Sequence, residues 1–290
     1  MAATTASLSL SEPAPAGALA WRAVLLFGLS VVFFASLITV LMHPLVDFSW
    51  WRVFRRSVSV ASALSLWLCI TRIERRSIRS YGFTRGEAGR SGLWFGLLLG
   101  ATALFLMLGV GLATGVCQIA LSPDRVKLWR TLLGFLPAAL MVGVLEELVF
   151  RGYLLQHLLS WSPKAAVFLT SLLYALVHLK TPEWTMHTSL ELGGLFLLGT
   201  VLSFSYLRTR QLYLAAGLHA VLAYGARVNK LVIQFQDLSQ SWLSGTSRLV
   251  NGLVGWIALG SIAGLIWWWT RSPRLRERSE PMAQGPVSAS

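Results

Sequence analysis

Apolar residues run through this chain in long stretches, broken by short polar and charged links. A helix rises about 1.5 Å per residue and the hydrocarbon core of a bilayer is about 30 Å thick, so about 20 apolar residues make one crossing. On that measure the pattern predicts helices near residues 23–42, 57–71, 92–117, 131–158, 163–178, 188–207, 212–226 and 249–270. Ser162 and Pro163 start the fifth as N-cap and first-turn proline, and Pro137 should bend the fourth. Gly92, Gly96 and Gly100 recur every fourth residue of the third, a face suited to close helix packing. Trp21, Trp50 and Trp51 read as interfacial anchors. The fold class is all-α: a polytopic membrane protein of about eight transmembrane helices around a core bundle. Residues 1–20 read as a flexible tail and 21–270 as the transmembrane domain. Residues 271–290 read as a basic, proline- and serine-containing disordered tail. No basic region precedes the first apolar run, so that run is expected to be a retained helix and not a cleaved signal.

Composition sharpens this picture. Of 290 residues, 55% are hydrophobic and 13% charged, against about 25% charged in soluble domains, which leaves no room for a soluble domain of useful size. The net charge of +13 does not indicate a nucleic-acid partner. Its basic residues lie between apolar spans, as topology determinants and lipid headgroup contacts do. The link after the second helix is the most basic, with Arg72, Arg75, Arg76, Arg79, Arg85 and Arg90. Positive-inside bias puts that link, and with eight spans both termini, in the cytoplasm. The compact size points to a bacterial inner membrane. Cys69 and Cys117 sit in apolar stretches without a CxxC pattern and read as packing residues.

The unusual chemistry lies at the end of the fourth helix, in Leu145-Glu146-Glu147-Leu148-Val149-Phe150-Arg151-Gly152. Each such charge costs about 2.5–3.5 kcal/mol inside a bilayer on insertion scales. Chains keep them there when they are paired, face a polar cavity or do chemistry. At about 100° per residue, Glu147 and Arg151 share one face as an i,i+4 pair. Glu146 is then left to face the bundle interior, where a carboxylate with little solvent suits a general base. The alternative is a charged cluster where the helix meets the interface. Tyr174 and His178 are a second i,i+4 pair near the end of the fifth helix, and His219 stands alone in an apolar stretch of the seventh.

The order Glu146-Glu147-x-x-x-Arg151, Tyr174-x-x-x-His178, His219 resembles the CPBP family. These are the type II CAAX prenyl endopeptidases and the bacteriocin-processing or self-immunity proteins. The similarity covers residues 131–226, which would form the catalytic core. The resemblance implies an intramembrane endopeptidase acting on a peptide or protein substrate, lipidated or not, in contact with membrane lipid. It implies that Glu146 activates a water, that His178 positions it or steadies the tetrahedral intermediate, and that His219 contributes to the oxyanion site. Glu147 and Arg151 would be the supporting ion pair, with Tyr174 beside them. Two positions depart from the family pattern. Tyr174 stands where phenylalanine is usual, and Ala223 where Asn or Asp usually follows the last histidine by one turn. Tyr224 and Asn229 are poor substitutes for that donor.

No cofactor is expected. The rival mechanism is zinc held by the two histidines and a carboxylate, although the sequence lacks HExxH. Two non-proteolytic classes compete. One is a membrane scaffold or immunity protein of the same fold. The other is a transporter, which would call for an inverted repeat that the sequence does not carry.

Overall fold

The computed structural model describes residues 17–83, 87–179, 184–236, 241–245 and 248–271. The expected tails therefore lie mostly outside the described residues, although Gly17–Ala20 already belong to the first helix. Of the described residues, 82% are helical. Its helices are α1 (Gly17–Met42), α2 (Trp50–Trp67), α3 (Glu87–Ala113), α4 (Arg125–Glu147), α5 (Pro163–Val177), α6 (Met186–Thr209), α7 (Tyr213–Val232) and α8 (Leu253–Trp269). Helix α2 runs on as a π-helix, Leu68–Ile73, and α4 as a π-helix, Leu148–Leu155, followed by one α-turn, Gln156–Leu159.

Local sequence explains the starts. Asp124 caps α4 by accepting from Lys127 N at 2.9 Å. Ser162 caps α5 ahead of Pro163, and Thr185 caps α6 by accepting from Thr188 N at 3.1 Å. Each cap satisfies a backbone N–H that no earlier carbonyl can reach.

Among the described residues, five segments are long and apolar enough to cross a membrane: Trp21–Leu45, Trp50–Ile73, Gly89–Ala113, Arg125–Leu159 and Met186–Thr209. The other three are shorter or more polar. At 15 residues, α5 spans only about 22 Å, and α7 carries Arg227 and Lys230 near its end. Helix α7 lies at the centre of the bundle, with α3 and α4 packed along it, so its length is set by protein neighbours.

Glycines bring these helices together. A Cβ on Gly96 would lie 2.2 Å from Leu214 O, and one on Gly143 would lie 2.8 Å from Ala216 O. Gly92 and Gly100 face the same helix, so the four-residue glycine spacing of α3 is the α7 contact.

Several boundaries differ from the expected ones. Helix α2 starts at Trp50 because Arg52, Arg55 and Arg56 break the apolar pattern yet sit exposed on its first turns. Helix α3 stops at Ala113, so Cys117 lies in a strand. Helix α7 reaches Val232, six residues beyond the apolar run. Strand β1 (Cys117–Ile119) pairs antiparallel with β2 (Ile233–Phe235), Cys117 opposite Phe235. The pair ties the end of α3 to the end of α7. Three-residue strands are too short to show an alternating pattern. Both cysteines are buried and free.

The successive helices alternate in direction. At one end of the bundle Trp21 packs edge-on against Trp161, Leu212 N donates to Gly82 O at 3.0 Å and Arg208 donates to Thr270 at 2.9 Å. The start of α1 and the finish of α8 therefore share that end. The sheet lies at the other.

Candidate active site

Arg151 and Glu147 are the most deeply enclosed charges described, both with side chains 0% exposed. The π-helix that begins at Leu148 widens the turn between them. A wider turn brings residues four apart closer to eclipse than an α-turn does, and Arg151 Nη1 donates to Glu147 Oε1 at 2.8 Å. Arg151 Nη2 also donates to Gly199 O at 2.8 Å, and Nε to Ser203 Oγ at 3.4 Å. Gly199 permits this because α5 and α6 meet there: a Cβ would lie 3.0 Å from Ser171 Cα. The guanidinium rests 4.9 Å above the Tyr174 ring. Losing one member of such a pair would leave a buried charge uncompensated, at about 3–5 kcal/mol.

Glu147 has a second partner. His219 Nδ1 lies 2.8 Å from the same Oε1, so the carboxylate accepts from helices α4 and α7 together. This contact joins residues 72 apart in sequence, so Glu147 serves His219 as well as Arg151.

Glu146 points the other way, with 27% of its side chain exposed. Its Oε2 lies 3.5 Å from His178 Nε2 and 3.6 Å from His219 Nε2. It accepts no hydrogen bond from the described residues. The tautomers follow from the partners. His178 Nδ1 is 2.8 Å from Tyr174 O, and a carbonyl only accepts, so Nδ1 carries the proton. His219 Nδ1 faces an ionised carboxylate and is protonated for the same reason. Where these rings are neutral, each presents an Nε2 lone pair. Tyr174 donates to His219 Nε2 at 3.4 Å. Glu146 Oε2 and the two Nε2 atoms thus converge, and a water would suit the space between them.

These residues head a cavity of about 180 Å³. It extends along α4 to Val142, along α6 to Leu195 and along α7 to Ala223 and Ala226. Arg248 and Val250 close its wall from the segment before α8. Tyr224 donates to Leu132 O at 2.8 Å and Asn229 is buried; neither lines the cavity. The position one turn after His219 is open methyl surface.

Sequence reasoning did not find Arg248. Glu191 Oε1 lies 2.8 Å from Arg248 Nη1. Leu249, next to Arg248, adopts φ 61°, a left-handed conformation that is strained for a branched side chain. The segment is pressed onto α6 at Gly194, where a Cβ would fall 2.1 Å from Val250 O.

So each of the six expected site residues lies in or directly behind one cavity, formed by α4, α5, α6 and α7. Residues 128–224 match a family model described as type II CAAX prenyl endopeptidase Rce1-like. That match covers 97 of the 290 residues and supports the resemblance of this segment to the CPBP family of membrane-embedded proteases. It runs from the second turn of α4 to one residue past Ala223, and so spans every motif residue. No curated protein matches the chain.

Proposed function

We propose that this protein is an intramembrane endopeptidase in which Glu146 activates a water for attack on a peptide carbonyl. The observation that carries the reading is the convergence of Glu146 Oε2 with two histidine Nε2 atoms, at 3.5 and 3.6 Å, at the head of a cavity. In that position the carboxylate takes a proton from water as the oxygen attacks. The carbonyl π electrons move to oxygen. As the C–N bond breaks, the proton held by Glu146 passes to the leaving amine and the new acid gives up its own to the same amine, giving a carboxylate and an ammonium. His178 and His219 orient the water, each held by its Nδ1 bond. Glu147 and Arg151 fix His219 and touch no substrate.

The substrate is a peptide or protein tail lying at the membrane, lipidated or not. The protein sits in the cell membrane with the arginine-rich link and both termini in the cytoplasm. The cavity then lies in the half of the bundle nearer the opposite face, with β1 and β2.

A zinc reading draws on the same geometry. Both histidines have Nδ1 bonded to an acceptor, the support that metal-binding imidazoles usually have, and both aim Nε2 at one carboxylate.

One experiment separates these readings. Purified wild type, Glu146→Gln and Glu146→Ala are compared on a fluorogenic peptide library with lipidated and unlipidated members, with and without a zinc chelator. We expect both variants to be inactive and the wild type indifferent to chelator. Activity lost to chelator and restored by zinc supports the metal reading. Equal silence of wild type and variants supports the scaffold.

A further inference from the structure

The chemistry proposed above makes an anion that needs a donor. In an enclosed site, donors already aimed at the developing oxyanion are the main source of rate. Around Glu146 such donors are scarce. With their Nδ1 atoms committed to Tyr174 O and Glu147, His178 and His219 turn only Nε2 to the cavity. Tyr174 turns its hydroxyl to His219. Ala223, one turn beyond His219, offers a methyl group. Of the twelve described residues lining the cavity, Arg248 is the one lysine or arginine.

We propose that Arg248 is a catalytic residue that stabilises the oxyanion of the tetrahedral intermediate, the task left undone at Ala223. The inference rests on the endopeptidase reading of the site. Three observations support it. Arg248 enters from outside the motif-bearing segment yet lines the same cavity as Glu146 and Ala223. Its guanidinium is ion-paired with Glu191, Nη1 to Oε1 at 2.8 Å, although Nη1 makes no well-aligned hydrogen bond among the described residues. A guanidinium has five N–H donors in a fixed fork, so one anchored nitrogen leaves others for a ligand. Its backbone is held by a left-handed Leu249 and by the close approach of Val250 to Gly194, a rigid mount of the kind found where a side chain must be aimed. In the reaction, water adds to the carbonyl carbon, Glu146 takes its proton and the oxygen becomes anionic beside Arg248. When the C–N bond breaks, the C=O bond re-forms and the charge leaves Arg248.

The test compares Arg248→Met, Arg248→Lys, Glu191→Gln and the double variant Arg248→Met/Ala223→Asn, on a peptide cleaved by wild type and not by Glu146→Gln. Arg248→Met should lower kcat about 10²–10³-fold with KM nearly unchanged, and Arg248→Lys should lose less. Adding Ala223→Asn to Arg248→Met should recover at least a tenth of the loss, because an amide there reaches the same cavity. A kcat for Arg248→Met close to wild type overturns the proposal. So does equal loss in Glu191→Gln and Arg248→Met with no recovery by Ala223→Asn, the pattern of a purely structural ion pair. Should wild type and Glu146→Gln cleave alike, the endopeptidase reading itself fails. The role of Arg248 is then read from binding of a phosphinic pseudo-tetrapeptide, which mimics the charged intermediate. Weaker binding by Arg248→Met sustains the proposal. Equal binding, or none by wild type, ends it.

Discussion

Helix α4 with its π extension carries two buried carboxylate–histidine clusters, one towards each end of the bundle. At the cavity, Glu146 meets His178 and His219. At the far end, Glu74 meets His157, whose Nε2 lies 3.2 Å from Glu74 Oε1. The residue types match, but the surroundings differ. Tyr81 donates to Glu74 Oε2, and His157 Nδ1 bonds Tyr153 O at 2.8 Å. The Tyr81, Tyr153 and His157 rings pack together, and none of these residues lines a described cavity. At Glu146, Oε2 faces two histidine Nε2 atoms across a cavity and accepts no hydrogen bond from the described residues. A carboxylate held by a tyrosine donor among packed rings ties helices together, whereas one open to a cavity awaits something to deprotonate. Composition alone would not have told the clusters apart.

Four substitutions test that contrast. The largest effect belongs to Glu146→Gln, which should lower cleavage about 10²–10⁴-fold and leave the melting temperature in detergent near wild type. A large drop in melting temperature would make Glu146 a tie like Glu74. Arg151→Met comes next. It strands Glu147 and frees His219, and should destabilise the fold by about 3–5 kcal/mol, read by denaturant unfolding in mixed micelles. Glu74→Gln should cost about 1.5–3 kcal/mol in hydrogen bonds to a charged group while cleavage per folded molecule is kept.

The Glu74 effect depends on pH. Burial pushes the carboxyl up, but hydrogen bonds from His157, Tyr81 and Tyr153 outweigh it and hold the carboxyl below its ordinary value of 4.5. A lowered carboxyl stabilises the fold fully above that ordinary value and loses its contribution as pH falls through the folded one. The stability gap between Glu74→Gln and wild type should therefore be present at neutral pH and close in acid. A gap independent of pH would break the assignment. The smallest effect is expected of Tyr174→Phe. It removes a 3.4 Å bond to His219 and keeps the ring beneath Arg151, so the loss should be about 1 kcal/mol or less, under tenfold in rate.

What could be read from the sequence was whatever repeats within a helix turn. Glu147 with Arg151, Tyr174 with His178 and the glycine face of α3 are all spaced by four, and each pattern corresponds to a contact. The eight apolar stretches gave the helices, with errors where arginines sit on exposed first turns. Contacts between distant segments left no local trace. Glu147 with His219, Glu191 with Arg248 and Glu74 with His157 each join residues far apart in sequence, and no spacing announces them. The β1–β2 pair is too short to alternate. Ala223 was visible as a departure from the family pattern, but its neighbour in space, Arg248, was visible only in three dimensions.

The backbone-to-backbone seating of α7 on α3 and α4 also constrains how this protein can change. Gly96, Gly143 and Gly217 leave no clearance for even one added carbon atom against main chain. Helix α7 therefore cannot slide or tilt to follow a new substrate. Diversification is confined to the small side chains that α7 shows the cavity, Ala223 and Ala226, and to the segment before α8, which lies outside the family-matched core. A lineage of such proteins could exchange substrates by rewriting a few wall positions while its helical frame stays frozen.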